Sequence, residues 1–78
     1  MIRIHPHALE RGVSAADIEE TITTGESFPA KFERVGFRRN FHYDSEWRGK
    51  RYQTKQVEAY AAREDNEWLV ITVIAKYF

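Results

Sequence analysis

The sequence predicts an α+β domain in which two N-terminal helices pack on one face of an antiparallel sheet of three or four strands. Two observations lead to this prediction. Apolar residues recur at spacings of three and four in the first third of the chain, and at every second residue over most of the remainder. Helical patterns that precede the strands, instead of alternating with them, are typical of α+β architecture. The 78 residues make one domain, residues 1–78.

Two short helices are predicted before the first strand. The first covers about residues 6–11, because Pro6 is tolerated in a first helical turn and a glycine follows the segment as a natural stop. The second covers about residues 15–24. Ser14 and Asp17 form a variant of the capping box at its start, and another glycine follows its end.

Three strands are predicted at about residues 32–43, 51–63 and 67–77. Gly36 interrupts the alternation of the first strand, which indicates a bulge or a close backbone approach. The second segment is rich in Ala, Glu, Gln and Lys, which favour helix. Its apolar residues nevertheless alternate, and Asp and Asn follow it as a turn sequence, so we predict a strand that pairs with the last one.

Because the two helices cover one face of this sheet, the other face is predicted to be open. In the last strand, alternation assigns Leu69, Ile71, Val73, Ala75 and Tyr77 to the helix side and Trp68 to the open side. The same argument assigns the following residues to the open face: Arg34, Arg38, Asn40, His42, Thr54, Gln56, Glu58, Tyr60, Val70, Thr72, Ile74 and Lys76.

Several classes of protein are excluded by composition. The chain has no cysteine, so a disulfide framework and thiolate zinc sites are ruled out. No apolar run approaches the ~20 residues of a membrane span, and no signal segment opens the chain, so a cytoplasmic protein without membrane contact is expected. His5 and His7 lack a third metal ligand, and no phosphate-binding glycine loop is present. We therefore expect neither a metal nor another cofactor.

The middle of the chain is basic although the whole chain is neutral. Residues 31–55 hold eight Lys and Arg against three acidic residues, and acidic flanks cancel this excess. Such a stripe can bind an anion locally. The simpler explanation is a solvated, arginine-rich face of a twisted sheet.

Seven short stretches, spread over nearly the whole chain, resemble one known family. They are residues 7–14, 24–26, 37–41, 47–50, 55–61, 70–74 and 76–78. The family is catalogued as domain of unknown function 4258, and it is similar to the BrnT and RelE toxins of bacterial toxin–antitoxin systems. The resemblance implies a RelE/BrnT-like fold, metal-independent ribonuclease activity and an antitoxin protein as partner. It also makes His7 a candidate catalytic residue, at the edge of the sheet.

The side chains permit the same chemistry. Metal-free RNA cleavage needs a base for the 2′-hydroxyl proton, an acid for the leaving 5′-oxygen and cations for the phosphate. His42 and Glu58 are the catalytic candidates, since alternation places both on the open face. The candidates for phosphate and base binding are Arg34, Arg38, Arg48, Lys76 and Tyr60.

Each candidate also has a structural explanation. His42 is also read as an ordinary surface histidine, and Glu58 as the partner of Arg38 or Lys76 in a cross-strand ion pair. His7 is also explained by helix capping, and Tyr60 by cross-strand packing.

Two functions therefore remain open. One is an endoribonuclease toxin of a type II toxin–antitoxin system that cleaves single-stranded RNA on the open face. The other is a non-catalytic protein-interaction module that docks a partner on the same face. A chain of this length buries only about 60% of its unfolded surface, which favours a homodimer or a tight protein partner in either case.

Overall fold

The computed structural model describes residues 2–6, 8 and 13–78. Within them lie five strands and one α-helix. In chain order these are β1 (Ile2–Ile4), α1 (Ala15–Thr24), β2 (Glu26–Pro29), β3 (Val35–Trp47), β4 (Lys50–Glu64) and β5 (Glu67–Tyr77). The strands form one sheet in the order β1-β5-β4-β3-β2. Strands β2 to β5 are antiparallel neighbours, and β1 pairs parallel to β5.

The predicted fold class is wrong. The sheet is mixed and has five strands, whereas the sequence predicted three or four antiparallel ones, and α1 is the one α-helix among the described residues. The first predicted helix, residues 6–11, falls mostly outside the described part of the chain, and neither Pro6 nor Ala8 is α-helical. Strand β1 was missed because three residues are too short to show an alternation, and its partner β5 is more than sixty residues away.

Helix α1 confirms the prediction for residues 15–24. Ser14 caps it, since its Oγ accepts a hydrogen bond of 3.1 Å from the backbone N–H of Asp17. The helix ends at Gly25, where a Cβ would overlap the backbone carbonyl oxygens of Thr21 and Arg38. Glycine therefore allows the chain to leave the helix and pass directly against β3.

The prediction of a strand in the helix-favouring segment 51–63 is confirmed by β4, which pairs with β3 on one side and β5 on the other. Both connections are two-residue turns with positive φ angles: 53° and 79° at Arg48 and Gly49, and 47° and 64° at Asp65 and Asn66. Turns of this type match the twist of antiparallel strands. Pairing on both sides thus overrides the helix propensity of the segment.

A bulge in β5 reverses the predicted facing of part of that strand. Tyr60 pairs with Thr72, but the next residue of β4, Ala61, pairs with Val70. Ile71 is the extra residue, so side chains before it point to the opposite face from the one that alternation predicts. Val70 is consequently fully buried in the core instead of lying on the open face.

The bulge also changes the face on which the Trp68 side chain lies, which alternation had predicted to be the open one. It lies on the helix side, where its ring packs edge-on against Phe37 with the ring centroids 5.1 Å apart. Leu69 and Ile71, assigned by alternation to the helix side, are both outside the buried core. Beyond the bulge the predicted facing holds, because Val73 is buried and Thr72 is exposed.

The core lies between α1 and one face of the sheet. Two ion pairs also join the helix to this face: Lys55 Nζ lies 3.3 Å from Asp17 Oδ2, and an Arg39 guanidinium nitrogen lies 3.2 Å from Glu20 Oε1. The buried apolar residues are Ala8, Val13, Ile18, Ile22, Phe37, Val57, Ala59, Ala61, Val70 and Val73.

Within the described residues, no helix has the length and apolarity that a membrane crossing requires.

Candidate functional site

The open face is the face of the sheet opposite α1, and strand register decides which side chains meet on it. Arg38 of β3 pairs with Glu58 of β4, and Glu58 pairs in turn with Ile74 of β5. Tyr60 lies two residues along β4 on the same face, and Lys76 lies two residues along β5. The four polar side chains Arg38, Glu58, Tyr60 and Lys76 therefore come together, and we call them the Glu58 network.

Glu58 is the centre of this network. Its residue is only 4% exposed, although it lies on the face that α1 leaves uncovered. Arg38 donates a hydrogen bond from Nε to Glu58 Oε2 at 2.8 Å, and the Tyr60 hydroxyl donates to Oε1 at 3.3 Å. Lys76 Nζ lies 3.9 Å from Oε1. The cross-strand ion pairs that the sequence suggested for Glu58, with Arg38 or Lys76, are thus both present.

The network alters the protonation of its members. Burial opposes the ionisation of Glu58, but the hydrogen bond from Arg38 and the charges of Lys76 and Arg38 outweigh it, so the pKa of Glu58 is lowered. Burial, and then the negative charge of Glu58, raise the pKa of Tyr60. The hydrogen bond to Glu58 raises the pKa of Arg38. At neutral pH the site therefore holds a carboxylate, two cations and a protonated phenol.

An aromatic side chain from β2 covers one flank of the network. The Phe28 ring lies 4.7 Å from the Arg38 guanidinium carbon and contacts the Tyr60 ring edge-on, with the centroids 6.0 Å apart. The ring occupies the space that a Cβ at Gly36 would need. Gly36 was predicted to mark a bulge or a close backbone approach. The structure shows neither, because Gly36 pairs in regular register with Phe28 and Tyr60 and the group packed against it is the Phe28 side chain.

Next to Phe28, the loop between β2 and β3 lines a groove of about 620 Å³ together with Tyr60 of β4 and Thr72 of β5. We call it the aromatic groove. Tyr60 lines it as well as belonging to the Glu58 network, so the two features are adjacent. Its aromatic and basic lining residues are Phe28, Phe32, Tyr60, Lys31 and Arg34.

His42 lies apart from the Glu58 network. It pairs with Thr54 and is four residues along β3 from Arg38, a distance of about 13 Å at the usual rise per residue. The side chain is exposed. The structure therefore does not bring His42 and Glu58 together, although both lie on the predicted face.

The remaining predicted site residues are dispersed. Arg34 lines the aromatic groove, whereas Arg48 lies in the turn at the tip of the β3–β4 hairpin, with its guanidinium carbon 5.4 Å from the Trp47 ring centroid. His7 lies outside the described residues. The basic stripe is divided too, because Arg39 points to the helix side and donates to Thr24 Oγ1 at 2.7 Å.

Sequence reasoning missed Phe28 altogether. Its strand β2 has four residues and was not predicted, so no alternation assigned Phe28 to a face. The signal that could have found it was Gly36, since a glycine inside a strand often admits another group closely. Within residues 2–6, 8 and 13–78, no group of three or more His, Cys, Asp or Glu side chains is arranged to hold a metal ion.

Comparison with the models of known protein families gives no match. Searches of curated proteins and of solved structures likewise give none.

Proposed function

We propose that this protein is a metal-independent endoribonuclease that cleaves single-stranded RNA at the Glu58 network. The observation that supports the proposal is a nearly buried carboxylate held between two cations, Arg38 and Lys76, on an otherwise open sheet face. Only a few per cent of Glu58 is exposed, and buried charges of this kind are rare unless they are paired. Perturbed titratable groups cluster at functional sites more often than elsewhere.

The proposed reaction is a transesterification within the RNA. The 2′-oxygen attacks the adjacent phosphorus, the bond from phosphorus to the 5′-oxygen breaks, and a 2′,3′-cyclic phosphate and a 5′-hydroxyl form. Glu58 accepts the 2′-hydroxyl proton, for which its ionised state at neutral pH is required. Lys76 supplies a proton to the leaving 5′-oxygen, and Arg38 stabilises the negative charge that develops on the phosphate.

The proposed biological role comes from the short stretches that resemble the domain of unknown function 4258 family, although no model of a known family matches the chain. On that basis we propose a toxin of a type II toxin–antitoxin system that acts in the cytoplasm, with an antitoxin protein as its partner and RNA as its substrate. An absence of cysteine suits a reducing compartment. Expression of the chain alone is then expected to arrest growth, and co-expression of the antitoxin is expected to restore it.

The direct test is cleavage of a 5′-labelled single-stranded RNA by the purified protein, with and without EDTA. We expect the same fragments in both cases, because the proposed chemistry uses side chains alone, and the fragments should end in 2′,3′-cyclic phosphate. Glu64→Gln protein, purified in parallel, controls for folding, and Glu58→Gln protein controls for contaminating ribonuclease. Failure of the wild-type protein to cleave RNA of any sequence would contradict the proposal.

RNA binding is expected to weaken with salt by a definite amount. Each phosphate contact contributes about 0.7 to the slope of log affinity against log salt for single strands. Contacts from Arg34, Arg38 and Lys76 therefore predict a slope of about 2 in magnitude. Titration of a labelled 2′-O-methyl oligonucleotide between low and physiological salt measures it. A slope near zero would show that the cations do not contact phosphate.

The protein-interaction module remains the second candidate because of one observation. Phe32 is 83% exposed beside the aromatic groove, and a large exposed apolar side chain is a common feature of protein interfaces. A module of this kind would leave growth unaffected when expressed alone and would leave RNA intact. The growth and cleavage experiments therefore separate the two candidates.

A further inference from the structure

Phe32 has a conformation that its own contacts do not explain. Its backbone φ is 61°, and the following residue, Glu33, has a φ of 58°. Bulky residues rarely adopt this left-handed region, because it strains the backbone. The side chain is nevertheless 83% exposed, so burial does not offset the strain. Residues held in such conformations concentrate at ligand-binding sites.

The loop that carries Phe32 is closed by backbone hydrogen bonds. The Ala30 N–H donates to the Arg34 carbonyl at 3.0 Å, and the Arg34 N–H donates to the Lys31 carbonyl at 3.3 Å. These bonds fix the loop at both ends of the Phe32 turn. The exposed ring is therefore presented at the edge of the aromatic groove by a defined backbone instead of by a free segment.

The groove combines aromatic rings with positive charge. Phe28, Phe32 and Tyr60 line it together with Lys31 and Arg34, and no acidic side chain of the described part of the chain belongs to its lining. The Arg34 guanidinium carbon lies 5.9 Å from the Phe32 ring centroid. The groove has a volume of about 620 Å³, which lies within the range of ~300–1,000 Å³ that is usual for small-molecule sites. Aromatic rings beside cations are what proteins use to hold the bases of single-stranded nucleic acid.

We propose that the aromatic groove holds one base of the RNA, stacked on Phe32, while the neighbouring phosphate lies on the Glu58 network. This inference rests on the proposed function and deepens it by assigning a base-binding subsite. Tyr60 connects the two sites, since it lines the groove and its hydroxyl donates to Glu58. A base in the groove therefore sets which phosphate reaches Arg38 and Lys76.

The test measures binding of a fluorescent 2′-O-methyl oligonucleotide, which cannot be cleaved because its 2′-oxygen is methylated. Phe32→Ala should weaken binding roughly 5-fold to 100-fold, the loss expected for one stacked base. Phe78→Ala is the matched control, because Phe78 is the other large exposed apolar side chain among the described residues, at 58%, and it does not line the groove. The control should bind within about 2-fold of wild type.

A second measurement uses a set of oligonucleotides, each of which lacks one base at a different position. One position should weaken wild-type binding by the same factor as Phe32→Ala, and the two changes together should weaken it no further, since both remove the same contact. Equal affinity of Phe32→Ala and wild type for RNA would overturn the inference. If Phe32→Ala then lost binding to an antitoxin, the groove would be assigned to a protein partner instead.

The failure of the inference and the failure of the proposed function give different results. If the subsite is wrong but the function is right, Arg38→Gln weakens binding and Phe32→Ala does not. If the function itself is wrong, the wild-type protein leaves an unmodified single-stranded RNA uncut in the cleavage assay. Thermal unfolding of each variant confirms that a loss of binding is not a loss of fold.

Discussion

Val70→Asp is expected to unfold the protein, whereas Thr72→Asp, two residues further along the same strand, is expected to leave it folded. Val70 is fully buried in the core, and an unpaired carboxylate there has no partner and no access to water. The loss should reach about 4 kcal/mol or more, which is comparable with the whole stability of a small domain. Thr72 is exposed, so a carboxylate at that position stays hydrated.

This pair of variants tests the bulge at Ile71 directly. In an unbroken strand, residues two apart face the same way, so both substitutions would have the same effect. The bulge places Val70 and Thr72 on opposite faces. Circular dichroism during thermal unfolding measures the outcome, and Val73→Asp, which removes another buried residue, is the positive control. Equal tolerance of Val70→Asp and Thr72→Asp would show that the strand is continuous.

Glu58→Gln is expected to reduce RNA cleavage by roughly 100-fold or more. The amide keeps the shape of the side chain and can still accept a hydrogen bond from Arg38, but it cannot take the 2′-hydroxyl proton, and loss of a general base typically has this effect. Because Glu58 is nearly buried, the variant should also melt at a lower temperature than wild type. Rates are therefore compared at a temperature where both proteins are folded.

Glu64→Gln is the matched control for this substitution. Glu64 lies on the same strand and also forms an ion pair, with Arg3 at 3.3 Å, but it is the last residue of β4, six residues beyond Glu58 and about 20 Å away along the strand. Its loss should leave cleavage within about 2-fold of wild type. His42→Ala then tests whether the reaction uses His42 as well as Glu58, or Glu58 without His42. A loss as large as that of Glu58→Gln would assign His42 to the reaction, across about 13 Å of strand.

The pH profile follows from the lowered pKa of Glu58. The carboxylate stays ionised down to and below the ordinary glutamate value of 4.5, so the rate should not fall between pH 7 and pH 5. The same shift contributes to stability, because a group whose pKa is lower in the folded state stabilises that state above its unfolded pKa. That contribution is lost as the pH falls through the folded-state pKa. Glu58→Gln should therefore remove part of the acid dependence of the melting temperature. A rate that declines steadily below pH 7 would point to a different base.

Local sequence determined a large part of the fold. The capping residue and the apolar spacing of residues 15–24 act within a few residues of one another, and helix α1 follows the prediction. Alternation in β4 predicted a strand against strong helix propensity, and the two-residue turn after it supported the pairing with β5. Alternation also assigned Arg38, Glu58, Tyr60 and Lys76 to one face, because the side-chain period of a strand is a local property.

Distances within the site depended on pairing between strands. Alternation assigned His42 and Glu58 to the same face, but a shared face does not fix the position along it. The register between strands fixes that position, and it places Arg38 opposite Glu58 and His42 opposite Thr54. The burial of Glu58 likewise requires neighbours from β3 and β5, which the residues around it in the sequence do not reveal.

Only the tertiary structure decided the edges of the sheet and the bulge within it. Strands β1 and β2 are three and four residues long, too short for a pattern, and their partners lie on β5 and β3. The bulge inserts one residue without any change in composition, because Leu69, Val70 and Ile71 are all apolar and suit either face. Its position is set by where β4 and β5 hold register on each side of it. The sequence alone therefore determined which segments become the helix and the long strands, and the pairing between strands decided which side chains meet.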